Sequence, residues 1–408
     1  MKKFFTLLLS VVMALTCCIG LTACKKQDTF KVGLICLHGD SSTYDKNFID
    51  AFKAACAKKG VEYIIKTDIP ESTACYDTAA DLVDQGCDLI FADSFGHEDH
   101  MIKAAREFKD VQFCHATGTK AHTENLSNYH NAFASIYEGR YLAGIAGGMK
   151  LKAMIDANQI TDAQIDADGN IKVGYVGAWT YAEVISGLTS WFLGVRSVVP
   201  NTVLKVQFTG SWYDEAFEKS AAELLINEGC ALISQHADSM GAPTACETAG
   251  VPNVSYNGST AEACPNTFIG SSRINWQPYY EYIIDCAKNK TQIVTDYCGG
   301  LGDTWFDGSV ALTDLGNAAA PGTQEAINTA IAQLKAGTLK VFDCSKFTVN
   351  GDHLTSYLAD VDTDANFAKD TEVIKTEGGI TYFAESEFRS APYFDICIDG
   401  ITFLNTKY

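Results

Sequence analysis

Short apolar runs alternate with amphipathic stretches along this chain, and they do so twice. The first round opens with Lys31-Val32-Gly33-Leu34-Ile35 and the second with Lys172-Val173-Gly174-Tyr175-Val176. In the first, the apolar run at residues 32–37 predicts a strand. Phe48, Phe52, Ala55 and Cys56 then recur at helical spacing and predict a helix over residues 45–58, followed by a strand at 61–65. In the second, a helix is expected over 181–198, a strand over 203–208, and a further helix from Asp214 with Phe217, Ala221, Leu224 and Leu225 facing inward. Ala79-Ala80-Asp81-Leu82 through Gly86-Cys87 is echoed by Ala221-Ala222-Glu223-Leu224 through Gly229-Cys230. Each echo runs into a short strand and then the same turn, Asp93-Ser94-Phe95-Gly96 or Asp238-Ser239-Met240-Gly241. The repeat is too long for a solenoid and reads as two related α/β lobes.

Strand and helix alternate in each copy, which predicts parallel sheets covered on both faces. A helical stretch at 133–150 and a polar insert at 154–170 separate the copies, further helices are expected near 276–287 and 324–336, and short strands and loops from 342 onward. The insert contains Asp166-Ala167-Asp168-Gly169, but Gln164 and Tyr175 stand where a calcium loop needs acids, so a solvated turn is expected. The first lobe is placed at 31–131 with a crossover segment near 265–310, and the second at 132–264 with the C-terminal segment 311–408.

At 408 residues, 47% hydrophobic and 20% charged, the chain has the composition of a globular protein with room for two cores. A formal charge of −19 disfavours nucleic acid and anionic lipid as partners. Lys2 and Lys3 precede an apolar run that ends in Leu21-Thr22-Ala23-Cys24. That order describes a secretion signal over residues 1–23, too short and wrongly flanked for a membrane span. The cut site resembles a bacterial lipobox, which implies lipidation of Cys24, a tether over residues 24–30 and a place on the outer face of the cell membrane. The 15 cysteines lack C-x-x-C spacing in the mature chain, and Cys36, Cys56, Cys114 and Cys230 sit where apolar residues belong. Free buried thiols are expected rather than a disulfide framework.

Several chemistries are unsupported. There is no Gly-x-Ser-x-Gly elbow, no Gly-Lys phosphate loop and no Gly-x-Gly-x-x-Gly after a strand. His97-Glu98-Asp99-His100 spaces its histidines by three rather than four and has no third ligand nearby in sequence, so no metal and no cofactor are expected.

In parallel α/β sheets, ligands bind beyond the carboxyl ends of the strands. The residues expected there are Tyr44, Asp45, Phe48, Ser94 and Phe95 in the first copy, and Trp179, Trp212, Asp238 and Asn257 in the second. Aromatic faces can sandwich a flat ring, and a carboxylate or amide can pair with its edge. Each residue also has a structural reading. Asp45 and Asp214 stand at helix N-caps, Phe48 lies on a core-facing stripe, and Ser94 and Asp238 could close turns. Glu138 and Arg140 are read as structural.

The chain resembles the basic membrane protein family of extracytoplasmic binding proteins. The resemblance is carried by His115-Ala116-Thr117-Gly118, Tyr137-Glu138-Gly139-Arg140-Tyr141-Leu142-Ala143-Gly144, Gly194-Val195-Arg196-Ser197-Val198, Trp212-Tyr213-Asp214, Gln235-His236-Ala237-Asp238-Ser239 and Lys340-Val341-Phe342-Asp343. It implies a type I periplasmic-binding-protein fold, two Rossmann-like lobes with parallel sheets joined by a hinge. A purine base or nucleoside would be held between the lobes for an ABC transporter permease, with the protein a monomer and not an enzyme. Asp45-Lys46-Asn47-Phe48 is similar to the family's Asp-Lys-Ser-Phe, which implies that Phe48 stacks on the base with Asp45 beside it. Trp212 would close the other face and Asp238 would take a hydrogen bond. Tyr256-Asn257-Gly258-Ser259 departs from the family's Tyr-Asp-Ser-Asp. A receptor for signalling, a sugar or other aromatic solute, and a nucleoside hydrolase are the rival readings.

Overall fold

The computed structural model describes residues 30–300, 308–362, 366 and 368–407; the leader and Cys24 lie outside them. The first sheet runs in the order β11-β5-β4-β3-β1-β2. Its strands are β1 (Lys31–Ile35), β2 (Glu62–Lys66), β3 (Leu89–Ala92), β4 (Gln112–Ala116), β5 (Tyr129–Ala134) and, from far along the chain, β11 (Asp296–Gly299), all paired in parallel. The second sheet repeats that order with β6 (Ile171–Gly177), β7 (Thr202–Phe208), β8 (Ile233–His236), β9 (Asn253–Tyr256) and β10 (Phe268–Ile274). β12 (Val310–Leu312) joins one edge antiparallel, and β13 (Ile401–Phe403) joins the other parallel to β7.

The segment assigned to the first lobe from sequence, 265–310, therefore divides. β10 belongs to the second sheet, and only α8 (Gln277–Asn289), which packs on α1 (Thr43–Lys59), and β11 cross to the first. The physical reason is pairing: β10 lies against β9 in parallel, extending the second sheet before the chain leaves it.

The repeated glycines have a packing role. Gly33 in β1 and Gly174 in β6 each face a leucine, an isoleucine and a cysteine: Leu82, Ile90 and Cys87 in one lobe, Leu225, Ile233 and Cys230 in the other. A Cβ on Gly33 would stand 2.9 Å from Leu82 Cδ1. The close helix–strand approach is thus written twice.

The helix ends correct one expectation and bear out another. Ser42, not Asp45, is the N-cap of α1, its Oγ accepting the Asp45 N–H at 3.1 Å. The Asp45 carboxylate turns back to accept from the His38 N–H and the Ser42 hydroxyl, at 2.8 and 2.6 Å. Asp214 does cap α6 (Glu215–Asn227), accepting from the Phe217 N–H at 2.9 Å. Of the inward stripe expected for α6, Ala221 and Leu225 are buried, but Phe217 and Leu224 are 60% and 43% exposed and Glu218 and Ala222 are buried in their place. The helix is rotated because the Glu218 carboxylate accepts the N–H groups of Ser239 and Asp214, satisfying a turn that would otherwise bury unpaired donors.

α4 (Ile136–Asp156) runs past residue 150 and takes up the start of the expected insert. Beyond it, Asp166 Oδ1 accepts from the N–H groups of Asp168 and Asn170, closing a turn by itself. Arg140 on α4 is fully buried and donates to Tyr175 Oη, Ser234 Oγ and the carbonyls of Gln235 and Ser255, a structural role tying α4 to the second sheet. The cysteines among the described residues are unpaired, and most are buried. No helix among the described residues is long and apolar enough to cross a membrane.

The C-terminal segment folds over the second lobe and reaches the first, where the Ser390 N–H donates to Asp296 Oδ2 at 3.1 Å. Its anchor is Glu385, whose carboxylate accepts from the N–H groups of Tyr393 and Phe394 at 3.2 and 2.9 Å. Burial pushes the Glu385 carboxyl up to about 8 in spite of those bonds. A carboxyl raised on folding weakens stability as pH climbs from its unfolded value toward its folded one. Glu385→Gln should therefore gain on the wild type in melting temperature from about pH 4.5 to about pH 8, with no further gain above. A gap between the two that stays constant over that range would contradict this.

Candidate functional site

The strand order switches sense between β1 and β3 in one lobe and between β6 and β8 in the other, and residues beyond the carboxyl ends of these strands face each other. Between them lies a narrow, nearly closed slot with a cavity volume of about 20 Å³. The first lobe supplies Leu37 after β1, Tyr44 and Asp45 from the first turn of α1, Ser94 and Phe95 after β3, and Thr117 after β4. The second supplies Glu183 from the start of α5 (Ala182–Val198), Trp212 after β7, and His236 and Asp238 at the end of β8.

The lobes touch around the slot. The Thr43 N–H donates to the Asp238 carbonyl at 2.9 Å, the Phe95 and Tyr181 rings lie 5.5 Å apart, and the His38 and Tyr213 rings 5.0 Å apart. The jaws are shut.

Six of the residues expected from sequence meet here: Tyr44, Asp45, Ser94, Phe95, Trp212 and Asp238. Three do not line the slot. Phe48 is 1% exposed and its face is taken by Trp276, stacked at 4.5 Å, so it supports Tyr44 from behind at 4.8 Å instead of meeting a solute. Trp179 stacks on Tyr181 at 5.7 Å, one ring back from the cleft mouth. Asn257, at φ 64°, lies on a separate groove with Thr43, Lys46 and Arg273.

Leu37, Thr117, Glu183 and His236 were not singled out from sequence. His115-Ala116-Thr117-Gly118 and Gln235-His236-Ala237-Asp238-Ser239 had marked the right strand ends, but nothing marked Glu183. An acid in the first turn of a helix is ordinary dipole chemistry.

The site is acidic. Burial, then Asp45, Glu218 and Glu183, holds the Asp238 carboxyl well above the usual range, and its side chain accepts no hydrogen bond among the described residues. Burial and the neighbouring Asp45 raise Asp93 likewise. Burial lowers His236, which stays neutral with Nε2 3.5 Å from Glu183 Oε1.

Cys36, Asp45 and Asp93 offer ligand atoms within 4.8 Å of one another. The Asp45 oxygens already accept from His38 and Ser42, Asp93 Oδ1 accepts from the Leu37 N–H, and burial favours the protonated forms of Cys36 and Asp93. His97 and Glu98 are likewise engaged. The His97 ring meets the Ile69 carbonyl, and the Glu98 carboxylate accepts from the N–H groups of Thr119 and Lys120.

Comparison with known proteins gives this geometry a context. Residues 32–296 match the family described as ABC transporter substrate-binding protein, PnrA-like. A purine-binding protein of Brucella abortus is 35% identical over 203 residues, 50% of this chain and 51% of that one. A protein of Haloferax volcanii named as an ABC transporter glucose-binding protein is 32% identical over 214 residues, 52% and 49%. The chain thus spans about half the length of the curated relatives it matches. Among solved structures, a solute-binding protein of Aeropyrum pernix superposes with TM-score 0.62 at 15% identity, over 79% of this chain and 94% of the other. One from Conexibacter woesei gives 0.58 at 18%, over 76% and 98%. At such identities the likeness concerns the fold alone.

Proposed function

This chain belongs to the family of PnrA-like ABC transporter substrate-binding proteins, and from that premise we propose that it captures a purine nucleobase or nucleoside between its lobes for an ABC permease. One observation carries the reading: Tyr44 and Phe95 from one lobe and Trp212 from the other face a single narrow slot with Asp238 on its wall. Aromatic walls suit a flat ring, and an acid whose side chain has no partner among the described residues suits the donors on its edge. The purine-binding relative from Brucella abortus supports the same solute class.

In this reading the protein is a monomer held outside the cell by a lipid on Cys24, and it carries out no bond chemistry. The solute touches both lobes, so it favours the shut form by the difference in its affinity for shut and open forms. The permease recognises the shut arrangement of the two lobes.

The glucose-binding name of the Haloferax volcanii relative favours a second reading, since a tryptophan with carboxylates also holds a pyranose. Thermal shift and calorimetry with purine bases, nucleosides and sugars separate the two. A purine at a hundredfold excess over its Kd should add about 2.7 kcal/mol to stability and raise the melting temperature by several degrees. Stabilisation by glucose with none by any purine would overturn the assignment.

A further inference from the structure

We infer that the slot admits only uncharged or cationic solutes, bearing N–H donors on the edge that meets Asp238 and Glu183, and rejects anionic ones. This rests on the purine-capture reading and sharpens it to a charge class.

The inference comes from counting what the walls can give. Among the described residues three acids, Asp45, Glu183 and Asp238, line the slot, and no lysine or arginine does. The nearby Arg140 cannot turn toward it, being buried and held by Tyr175, Ser234 and Gln235. The hydroxyls on the walls are already donating: Tyr44 to the Asp93 carbonyl at 2.7 Å, Ser94 to Glu71 at 2.6 Å, and Thr117 to the Ala116 carbonyl at 2.6 Å. His236 directs Nε2 at Glu183.

The acids are not equal. Asp45 is satisfied by His38 and Ser42, whereas Asp238 is 5% exposed and its side chain takes no hydrogen bond among the described residues. A buried acceptor left without a donor costs free energy until a ligand supplies one. An entering anion would meet the Asp45 and Glu183 carboxylates with no lysine or arginine lining the slot among the described residues, and such like-charge juxtaposition is unfavourable. Glu183 is the residue that adds this discrimination from the second lobe.

Two pairs of probes, matched in shape and opposite in charge behaviour, test the inference on the intact protein by calorimetry. Adenine is neutral at neutral pH and carries an amino donor, while urate is an anion of similar ring size. Benzamidine and benzoate are a cation and an anion on one ring. Adenine should bind at least about a hundredfold tighter than urate, and benzamidine should stabilise the protein where benzoate does not. In Glu183→Gln, and separately in Asp238→Asn should the first variant misfold, the adenine-to-urate ratio should shrink at least about tenfold. Urate binding as well as adenine, benzoate as well as benzamidine, or an unchanged ratio in a folded variant overturns the inference. Should neither adenine nor urate bind while benzamidine still outcompetes benzoate, the charge rule stands and the purine assignment falls.

Discussion

Replacing Trp212 with alanine is expected to weaken binding of every flat solute by about thirtyfold to a hundredfold, or about 2–3 kcal/mol, while leaving the fold intact. The indole sits on the loop after β7, half-buried, with its ring centroid 6.1 Å from Tyr181 and 6.4 Å from His236. Its backbone carbonyl, which a substitution keeps, accepts the Asp238 N–H at 3.0 Å. The side chain is therefore the part exposed to change, and what it contributes is a wall. Removing it takes away stacking area and opens the second-lobe side of the slot to water.

Phe48→Ala provides the contrast. Phe48 is packed among Trp276, Phe91 and Tyr44, so its loss should cost about 3–5 kcal/mol of folding stability. Calorimetry on the folded fraction should then show a smaller loss of affinity than for Trp212→Ala. The reverse order, with Phe48 dominating affinity and Trp212 only stability, would mean that the slot is not where the solute stacks.

That contrast also shows where sequence reading reaches its limit. A helical stripe identifies residues that leave water, and Phe48 and Phe52 both do. It does not say whether the stripe meets a core or a ligand. That depends on Trp276, which arrives from more than two hundred residues away and fills the face of Phe48. Asn257 lies off the slot for a different reason. Its left-handed backbone, φ 64°, carries it to the groove beside Thr43, a geometry that letters alone do not reveal. The inner stripe of α6 was found only in part, at Ala221 and Leu225, because Glu218 is an acid and hydropathy does not allow for an acid turned inward to satisfy a buried turn.

By contrast, the repeat was legible because each lobe must solve the same packing problem. Gly33 and Gly174, with Cys87 and Cys230 against them, appear at matching places since only a glycine admits that helix so near the strand. The matching strand orders follow from the same constraint, and with them the slot at the facing strand ends.

The glycines that carried the family resemblance lead to the second large effect, a loss of about 2–3 kcal/mol of stability in either Gly144→Ala or Gly194→Ala. α4 and α5 cross at these two residues. A Cβ on Gly144 would overlap the Trp191 carbonyl oxygen, and a Cβ on Gly194 would overlap that of Tyr141. Both obstacles are backbone, so no side chain can swing aside, and the helices must move apart. Separation strips contacts from Trp191, Leu142 and Ile145, which are buried around the crossing. Because one movement relieves both overlaps, the second methyl should cost less than the first. The double variant should fall short of the summed single losses by at least about 1 kcal/mol in denaturant titration. Simple additivity would mean that the two glycines serve independent contacts, and single losses under about 0.5 kcal/mol would mean that the helices do not approach this closely in solution. Since α4 leads out of β5 in the first lobe and packs against the second sheet, the same separation should also loosen the second lobe against its partner. Solute affinity should then fall in step with stability, whereas Trp212→Ala lowers affinity alone.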